Sequence, residues 1–282
     1  MRDQRTRVMG VLVGDVADHD EGRTRALALV ADGADIVTVR WPGAGFSEMR
    51  RFLRAVVPEL VAAGVRVCVE TAEPDIALAA AEYGGTVVRD LSTGTDRLLL
   101  RTVAEAGLTL LAPCRPARGP HVELGEAVDR RRAELEAVGL TGEHVVVEPR
   151  LGGSSPDIAW RQLLELAQTR FEAPVLVAAS NRALMHALLS EDATPIEKDA
   201  ATVAVAALAA RAGAWAVRVD NVARTSAALQ DHTRSAEVDG LAPSHLGAHE
   251  VGAGPTHPHI PHYPRRSQHG RQPQVPAREA RL

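Results

Sequence analysis

Short apolar runs alternate eight times with amphipathic stretches along residues 1–238, and this repetition constrains the fold more than any other feature. In the run Val145–Val147, three β-branched residues in a row indicate a strand buried on both faces, as in a parallel sheet. Glu148 and Pro149 end that strand, because proline has no N–H to donate to a continuing ladder. Eight strand-then-helix units are typical of a (β/α)8 TIM barrel, for which about 250 residues are usual. We predict this α/β fold for residues 1–238, with a doubly wound parallel sheet as the alternative.

Two segments depart from the periodic pattern. Pro58 falls inside the second helical stretch, where its missing N–H predicts a break or kink near Val57. After Asp239, proline, histidine, glycine and arginine replace the periodic apolar residues. We therefore predict that residues 239–282 form a disordered tail.

Charge and cysteine content exclude several classes of protein. The formal net charge is −4, and no basic block points to nucleic acid. The charged segment 1–7 runs straight into the first strand, and no apolar run is long enough to span a bilayer. We expect a cytoplasmic protein with no membrane partner. Cys68 and Cys114 lack CxxC spacing, so they predict buried thiols rather than a metal site or a disulfide framework.

Acids and arginines collect at the carboxyl ends of the predicted strands, where TIM barrels place their chemistry. Carboxylates there could hydrogen-bond an amino-heterocycle or a guanidine-like edge, and arginines could bind a phosphate by two parallel contacts. Alternatively, the charges pair with one another and only finish the top of the barrel. No Ser-His-Asp set, Walker loop or zinc spacing accompanies them, so we predict no metal ligands. The residues at these ends are Asp15, Thr38, Arg40, Glu70, Arg89, Asp90, Pro113, Cys114, Glu148, Ser180, Asn181, Arg182, Arg218 and Asp220.

An ordered set of motifs resembles one known family. The motifs are Asp32–Val37, Cys68–Thr71, Val88–Asp90, Glu148–Gly152 and Arg218–Val222. From Val8 to Ala228 the chain resembles dihydropteroate synthase, the pterin-binding TIM barrel of folate biosynthesis. The resemblance implies a transferase that joins a pterin pyrophosphate to 4-aminobenzoate.

The departures from the family pattern fall at its functional positions. Family members bind the pterin ring through acids on strands two, three and six, an Asn on strand four and a Lys on strand seven. The corresponding residues here are Thr38, Glu70, Glu148, Arg89 and Arg182. Of the Arg and His that hold pyrophosphate at strand eight, Arg218 is present and Asp220 replaces the His.

The first two loops also depart from the family. The resemblance implies Mg²⁺, but Val13 or Gly14 replaces the loop-one Asn that helps to bind it, so no cofactor is assigned. The segments of loops one and two that complete the aminobenzoate site are shortened away.

We hypothesise a dihydropteroate synthase homologue with lost or altered activity, binding a pterin-like or other partly anionic small molecule at the strand ends. Arg218 is the candidate for stabilising a leaving-group anion. One alternative is an active synthase; another is a non-catalytic dimer partner of an active relative, suggested by the alanine-rich run Thr202–Ala212. A homodimer and a heterodimer with a related barrel both stay open. The candidate ligand-binding residues are Glu70, Arg89, Asp90, Glu148, Ser180, Arg182, Arg218 and Asp220.

Overall fold

The computed structural model describes residues 5–13, 19–41, 43, 45–114, 123–152 and 155–230, in which eight strands alternate with helices. The strands are β1 (Arg7–Val13), β2 (Ile36–Arg40), β3 (Arg66–Thr71), β4 (Val87–Asp90), β5 (Thr109–Pro113), β6 (Val145–Glu148), β7 (Leu176–Ala178) and β8 (Ala216–Val219). The helices are α1 (His19–Ala31), α2 (Phe46–Ala62), α3 (Pro74–Glu82), α4 (Arg97–Glu105), α5 (Leu124–Glu136), α6 (Pro156–Gln168), α7 (Arg182–Leu188), α8 (Pro195–Arg211) and α9 (residues 222–230).

Every pair of neighbouring strands is parallel, in the order β6-β5-β4-β3-β2-β1-β8-β7. The two ends of this sheet meet at a parallel bridge between Val147 and Val175, beside which Val147 N donates to Pro174 O at 3.0 Å. An open doubly wound sheet would leave β6 and β7 on different edges. The TIM-barrel prediction is therefore confirmed, and the alternative is wrong.

The barrel interior is filled by one layer of apolar side chains, to which each strand contributes one residue. A larger apolar shell lies outside, between the strands and the helices, and it includes Phe52, Leu99 and Leu166. Continuous β-branched and leucine runs form these strands because both of their faces are buried. The inner-layer residues are Met9, Ile36, Cys68, Val87, Leu111, Val146, Leu176 and Ala216.

Of the break or kink predicted at Pro58, the break is wrong, because α2 continues from Phe46 to Ala62 with Pro58 inside it. An interior proline costs roughly 3 kcal/mol of helix stability. The same helix buries Phe52, Leu53 and Val56 against the barrel, and burying one such side chain contributes about 1.5–3 kcal/mol. Packing therefore outweighs the local penalty.

The predicted tail, residues 239–282, lies outside the described residues. In the described ranges, we find no helix with the length and hydropathy that a membrane span requires.

Candidate active site

A layer of polar side chains lies directly above the apolar inner layer. Successive side chains of a strand point to opposite faces, so the residue two positions after an inner-layer residue also faces the interior. Five strands carry a polar or charged residue there, near their carboxyl ends. The five residues are Thr38 on β2, Glu70 on β3, Arg89 on β4, Glu148 on β6 and Arg218 on β8.

Arg89 and Glu148 form a two-point ion pair across β5. Arg89 Nε donates to Glu148 Oε2 at 2.6 Å, and Arg89 Nη2 donates to Glu148 Oε1 at 3.1 Å. Only 15% of the Arg89 side chain and 7% of the Glu148 side chain are exposed. A planar guanidinium facing a carboxylate in this way is the strongest common arrangement of such a pair.

Glu70 lies between arginines of three other strands. Arg218 Nη1 donates to Glu70 Oε1 at 3.0 Å, while Arg89 Nη1 lies 3.5 Å and Arg40 Nε 3.7 Å from Glu70 Oε2. The Glu70 side chain is 1% exposed, whereas 56% of the Arg40 side chain is in solvent. Arg218 also reaches Glu148, with Nη2 to Oε1 at 3.8 Å. The charges therefore form one connected cluster across the mouth of the barrel.

Positive charge is in excess in this cluster, since three guanidinium groups face two carboxylates. Burial disfavours the charged form of Arg89, but the charge and hydrogen bonds of Glu148 outweigh burial and raise the pKa of the guanidinium above its ordinary value. Arg89 therefore stays charged, and the cluster has a surplus of one positive charge.

The loop after Glu148 is held by side-chain and backbone contacts. Gly152 N donates to Gln162 Oε1 at 2.8 Å, and Gln162 Nε2 donates to Arg150 O at 3.1 Å. Gly152 has φ +97°, and a Cβ there would lie 2.3 Å from Leu184 N. Only glycine tolerates both the left-handed backbone and the close approach. Ser155 caps α6, and its Oγ accepts from Ile158 N.

Asp90, one residue after Arg89, faces away from the cluster and toward the helices. Its carboxylate accepts from Ser92 N at 2.7 Å, from Ser92 Oγ at 2.6 Å and from Gly94 N. Arg131 Nη2 on α5 lies 3.8 Å from it. Asp90 therefore organises the loop between β4 and α4, and the structure does not bring it together with Glu70 and Glu148.

Ser180, Arg182 and Asp220 lie around the ends of β7 and β8. Ser180 Oγ donates to Asp220 Oδ1 at 2.9 Å. Arg182 is exposed at the start of α7, and its Nε donates to His186 Nε2 at 3.3 Å. These contacts do not involve the charged cluster, so these three predicted residues lie around it rather than in it.

Two residues of the barrel mouth were not among the candidate ligand-binding set. Arg40 contacts Glu70, and the Thr38 hydroxyl is fully buried without a hydrogen-bond partner among the described residues. Alternation along β2 was the available signal, because Ile36, Thr38 and Arg40 share one face.

Comparison with known proteins shows to which family the chain belongs. The family model described as pterin binding enzyme matches residues 13–220. A dihydropteroate synthase of Mycobacterium leprae is 33% identical over 247 residues, which are 77% of this chain and 86% of that protein. The chain belongs to the dihydropteroate synthase family. A second family member, from Staphylococcus haemolyticus, is 25% identical over 243 residues, which cover 77% of this chain and 90% of its own.

A solved structure of the family also has this fold. Dihydropteroate synthase of Xanthomonas albilineans with 4-aminobenzoic acid superposes with a TM-score of 0.70 at 25% sequence identity. The match covers 83% of this chain and 94% of that one.

One position that the family resemblance connects with Mg²⁺ carries no oxygen ligand in this chain. β1 ends at Val13, whose side chain carries no oxygen ligand of the kind that Mg²⁺ requires. Within the described ranges, no group of three or more His, Cys, Asp or Glu side chains could hold a metal ion.

Proposed function

We propose that this member of the dihydropteroate synthase family binds a pterin-like or other partly anionic small molecule at the strand ends, and that it has lost or altered the synthase reaction. One observation carries the proposal: both buried carboxylates, Glu70 and Glu148, are already paired with arginines. We also propose the cytoplasmic location expected from the sequence.

The surplus charge favours an anionic ligand. A neutral amino-heterocycle would have to compete with Arg89 and Arg218 for the oxygens of the two carboxylates. An anionic group would instead attract these arginines and could also bind Arg40, whose side chain is more than half exposed beside Glu70. A charge-assisted contact to a guanidinium is roughly twice as strong as a neutral hydrogen bond.

The strand-eight residues argue for a change in the reaction. In the parent reaction the amine of 4-aminobenzoate forms a C–N bond to the pterin methylene, the C–O bond to pyrophosphate breaks, and the amine loses a proton. Arg218 is suited to hold the departing anion. Asp220 is a carboxylate at the same strand, and a carboxylate about 4 Å from an anionic oxygen costs on the order of 1 kcal/mol even in water.

An active synthase is the second candidate function. It is favoured by the 33% identity to the Mycobacterium leprae dihydropteroate synthase and by the presence of Arg218. The third hypothesis, a non-catalytic dimer partner, rested on the run Thr202–Ala212. That run is used within the barrel, because Thr202, Val205, Ala206 and Ala209 are buried on α8. Dimerisation stays a prediction.

Turnover and binding, measured on the full chain, separate these functions. We expect no dihydropteroate from pterin pyrophosphate and 4-aminobenzoate, with or without Mg²⁺. In calorimetric titration we expect a pterin pyrophosphate analogue to bind, and Arg218→Ala to weaken it about tenfold or more, since removing a charged partner costs about 1.5–3 kcal/mol. Arg101→Ala, which removes an exposed arginine of α4, is the control.

Each outcome leads to a different conclusion. Turnover of both substrates would contradict the proposal and establish the synthase. Absence of binding as well as turnover would show that the barrel serves a different ligand or partner, and would move the search to metabolite screening and co-purification.

A further inference from the structure

Arg89 contacts Glu148 with the same geometry that a ligand with two parallel N–H donors would use. A guanidinium presents the unit N–C–N with two parallel N–H groups, and Arg89 directs such a pair, Nε and Nη2, at the two oxygens of Glu148. A 2-aminopyrimidin-4-one edge, as in a pterin or a guanine, presents the same unit through a ring N–H and its exocyclic amino group. Both donors cannot occupy the same carboxylate oxygens.

We propose that Arg89 is a built-in occupant of the guanidine-like subsite on Glu148, and that it determines which ligands the site accepts. This inference rests on the proposed function in taking the charged cluster as the ligand site. It assigns Arg89 a role in specificity. A ligand must either carry a group that draws the Arg89 guanidinium away from Glu148, or bind without contacting Glu148.

The backbone holds this internal occupant in place. Arg89 lies opposite Glu70 in the β3–β4 register, and its Nη1 is 3.5 Å from Glu70 Oε2, so one guanidinium bridges both acids. Glu148 ends β6 and is followed by a loop that Gln162 and Gly152 fix. A tethered group competes at an effective concentration that is millimolar or higher. A free neutral heterocycle at micromolar concentration would therefore be excluded.

An anionic ligand changes this competition. A carboxylate or phosphate entering beside Arg40 and Arg218 adds a third acceptor for the arginines, so Arg89 can exchange part of its pairing with Glu148 for the ligand. The released oxygens of Glu148 then become available to the heterocycle edge of the same molecule. The site is consequently selective for molecules that carry both an amino-heterocycle and an anionic group.

A structural role alone makes a different prediction. If Arg89 only stabilises the barrel, Arg89→Ala lowers stability and creates no affinity. If Arg89 occupies a subsite, Arg89→Ala empties it, while Arg89→Met removes the charge but keeps the space filled. A gain of affinity confined to the alanine variant distinguishes the two roles.

The test compares the full chain with Arg89→Ala, Arg89→Met and the control Arg101→Ala. The probes are pterin, which carries no anionic group, and low-millimolar guanidinium chloride. We expect calorimetry to show about tenfold or greater tightening of pterin binding in Arg89→Ala alone. We also expect guanidinium to raise the Tm of Arg89→Ala and of no other chain.

The remaining outcomes are equally decisive. Equal pterin affinity in all four chains would overturn the inference, and so would equal gains in the alanine and methionine variants. Should Arg89→Ala be unfolded alone, folding on addition of pterin or guanidinium supports the inference, and no recovery overturns it. A gain in Arg89→Ala without any binding of the pyrophosphate analogue by the parent chain would refute the proposed function and leave this inference intact.

Discussion

Replacement of Glu148 by glutamine is the sharpest test of the charged cluster, because it changes one charge and almost no volume. The cluster has three guanidinium groups and two carboxylates, and Glu148→Gln leaves a single carboxylate, Glu70, for all three. Arg89 loses its two-point partner while 85% of its side chain remains out of solvent, given an exposure of 15%. Its charge is then buried without adequate compensation.

Breaking a buried pair by removing one charge costs about 3–5 kcal/mol. Glutamine keeps one acceptor oxygen, so we expect the lower end, about 3 kcal/mol. A barrel of this size loses about 2–4 °C of Tm per kcal/mol, which corresponds to a decrease of about 6–12 °C. Calorimetric or circular-dichroism melting of parent and variant measures this directly.

The chain offers a matched control in Arg101 and Glu105 on α4. Their Nε–Oε1 distance is also 2.6 Å, but 75% and 64% of their side chains are exposed. Glu105→Gln should leave the Tm unchanged within error, because exposed pairs contribute little. Adding Arg89→Met to Glu148→Gln restores the original surplus charge and should recover part of the loss. Equal Tm values for Glu148→Gln and Glu105→Gln would refute the reasoning.

Two further predictions concern the strand ends and the inner layer. Gly152→Ala should lower the free energy of unfolding by roughly 1–2 kcal/mol for the left-handed backbone, and by more because its Cβ would contact Leu184 N. The control is Gly64→Ala, at φ +79° with open space around it, which should show only the backbone cost in urea unfolding. Equal losses in the two variants would contradict the contact with Leu184. Burial, reinforced by the charge of Glu70, raises the pKa of the Cys68 thiol to about 12, whereas an unfolded thiol titrates near about 8.5. Between these two pKa values the folded chain retains a proton that the unfolded chain loses, so the free energy of unfolding falls as the pH rises. Cys68→Ala should flatten this decline in urea titrations from about pH 8.5 upward. An unchanged slope would contradict the raised pKa of Cys68.

The fold could be predicted from the sequence because its signals repeat and reinforce one another. Each strand is an apolar run bounded by glycine or proline, and β6 follows the expected bounds at Val145 and Glu148. The beginning of α8 is less evident, because the helix starts at Pro195, seven residues before the alanine-rich run Thr202–Ala212. The signal was a capping box, since Thr194 Oγ1 accepts from Glu197 N and the Glu197 carboxylate accepts from Thr194 N.

The candidate site could be predicted only to the level of strand ends. Arg89 and Asp90 are adjacent, and alternation allows only one of them to face the interior. Which one does so depends on the register of β4, where Val87 belongs to the inner layer and so places Arg89 inside. The pairing among arginines and acids could not be predicted, because it joins residues of β3, β4, β6 and β8 whose separations depend on closure of the barrel.

The apolar inner layer determines from which side a ligand can reach the charged cluster. Eight side chains, one from each strand, fill the cross-section immediately beneath the charged cluster. Among the described residues, this layer therefore separates the charged cluster from the amino ends of the strands. A ligand of the cluster has to enter and leave on the carboxyl side of the layer. If two reactants are ever combined there, the one that lies against the layer cannot be reached from beneath, and the joined product must depart before the next reactants can bind.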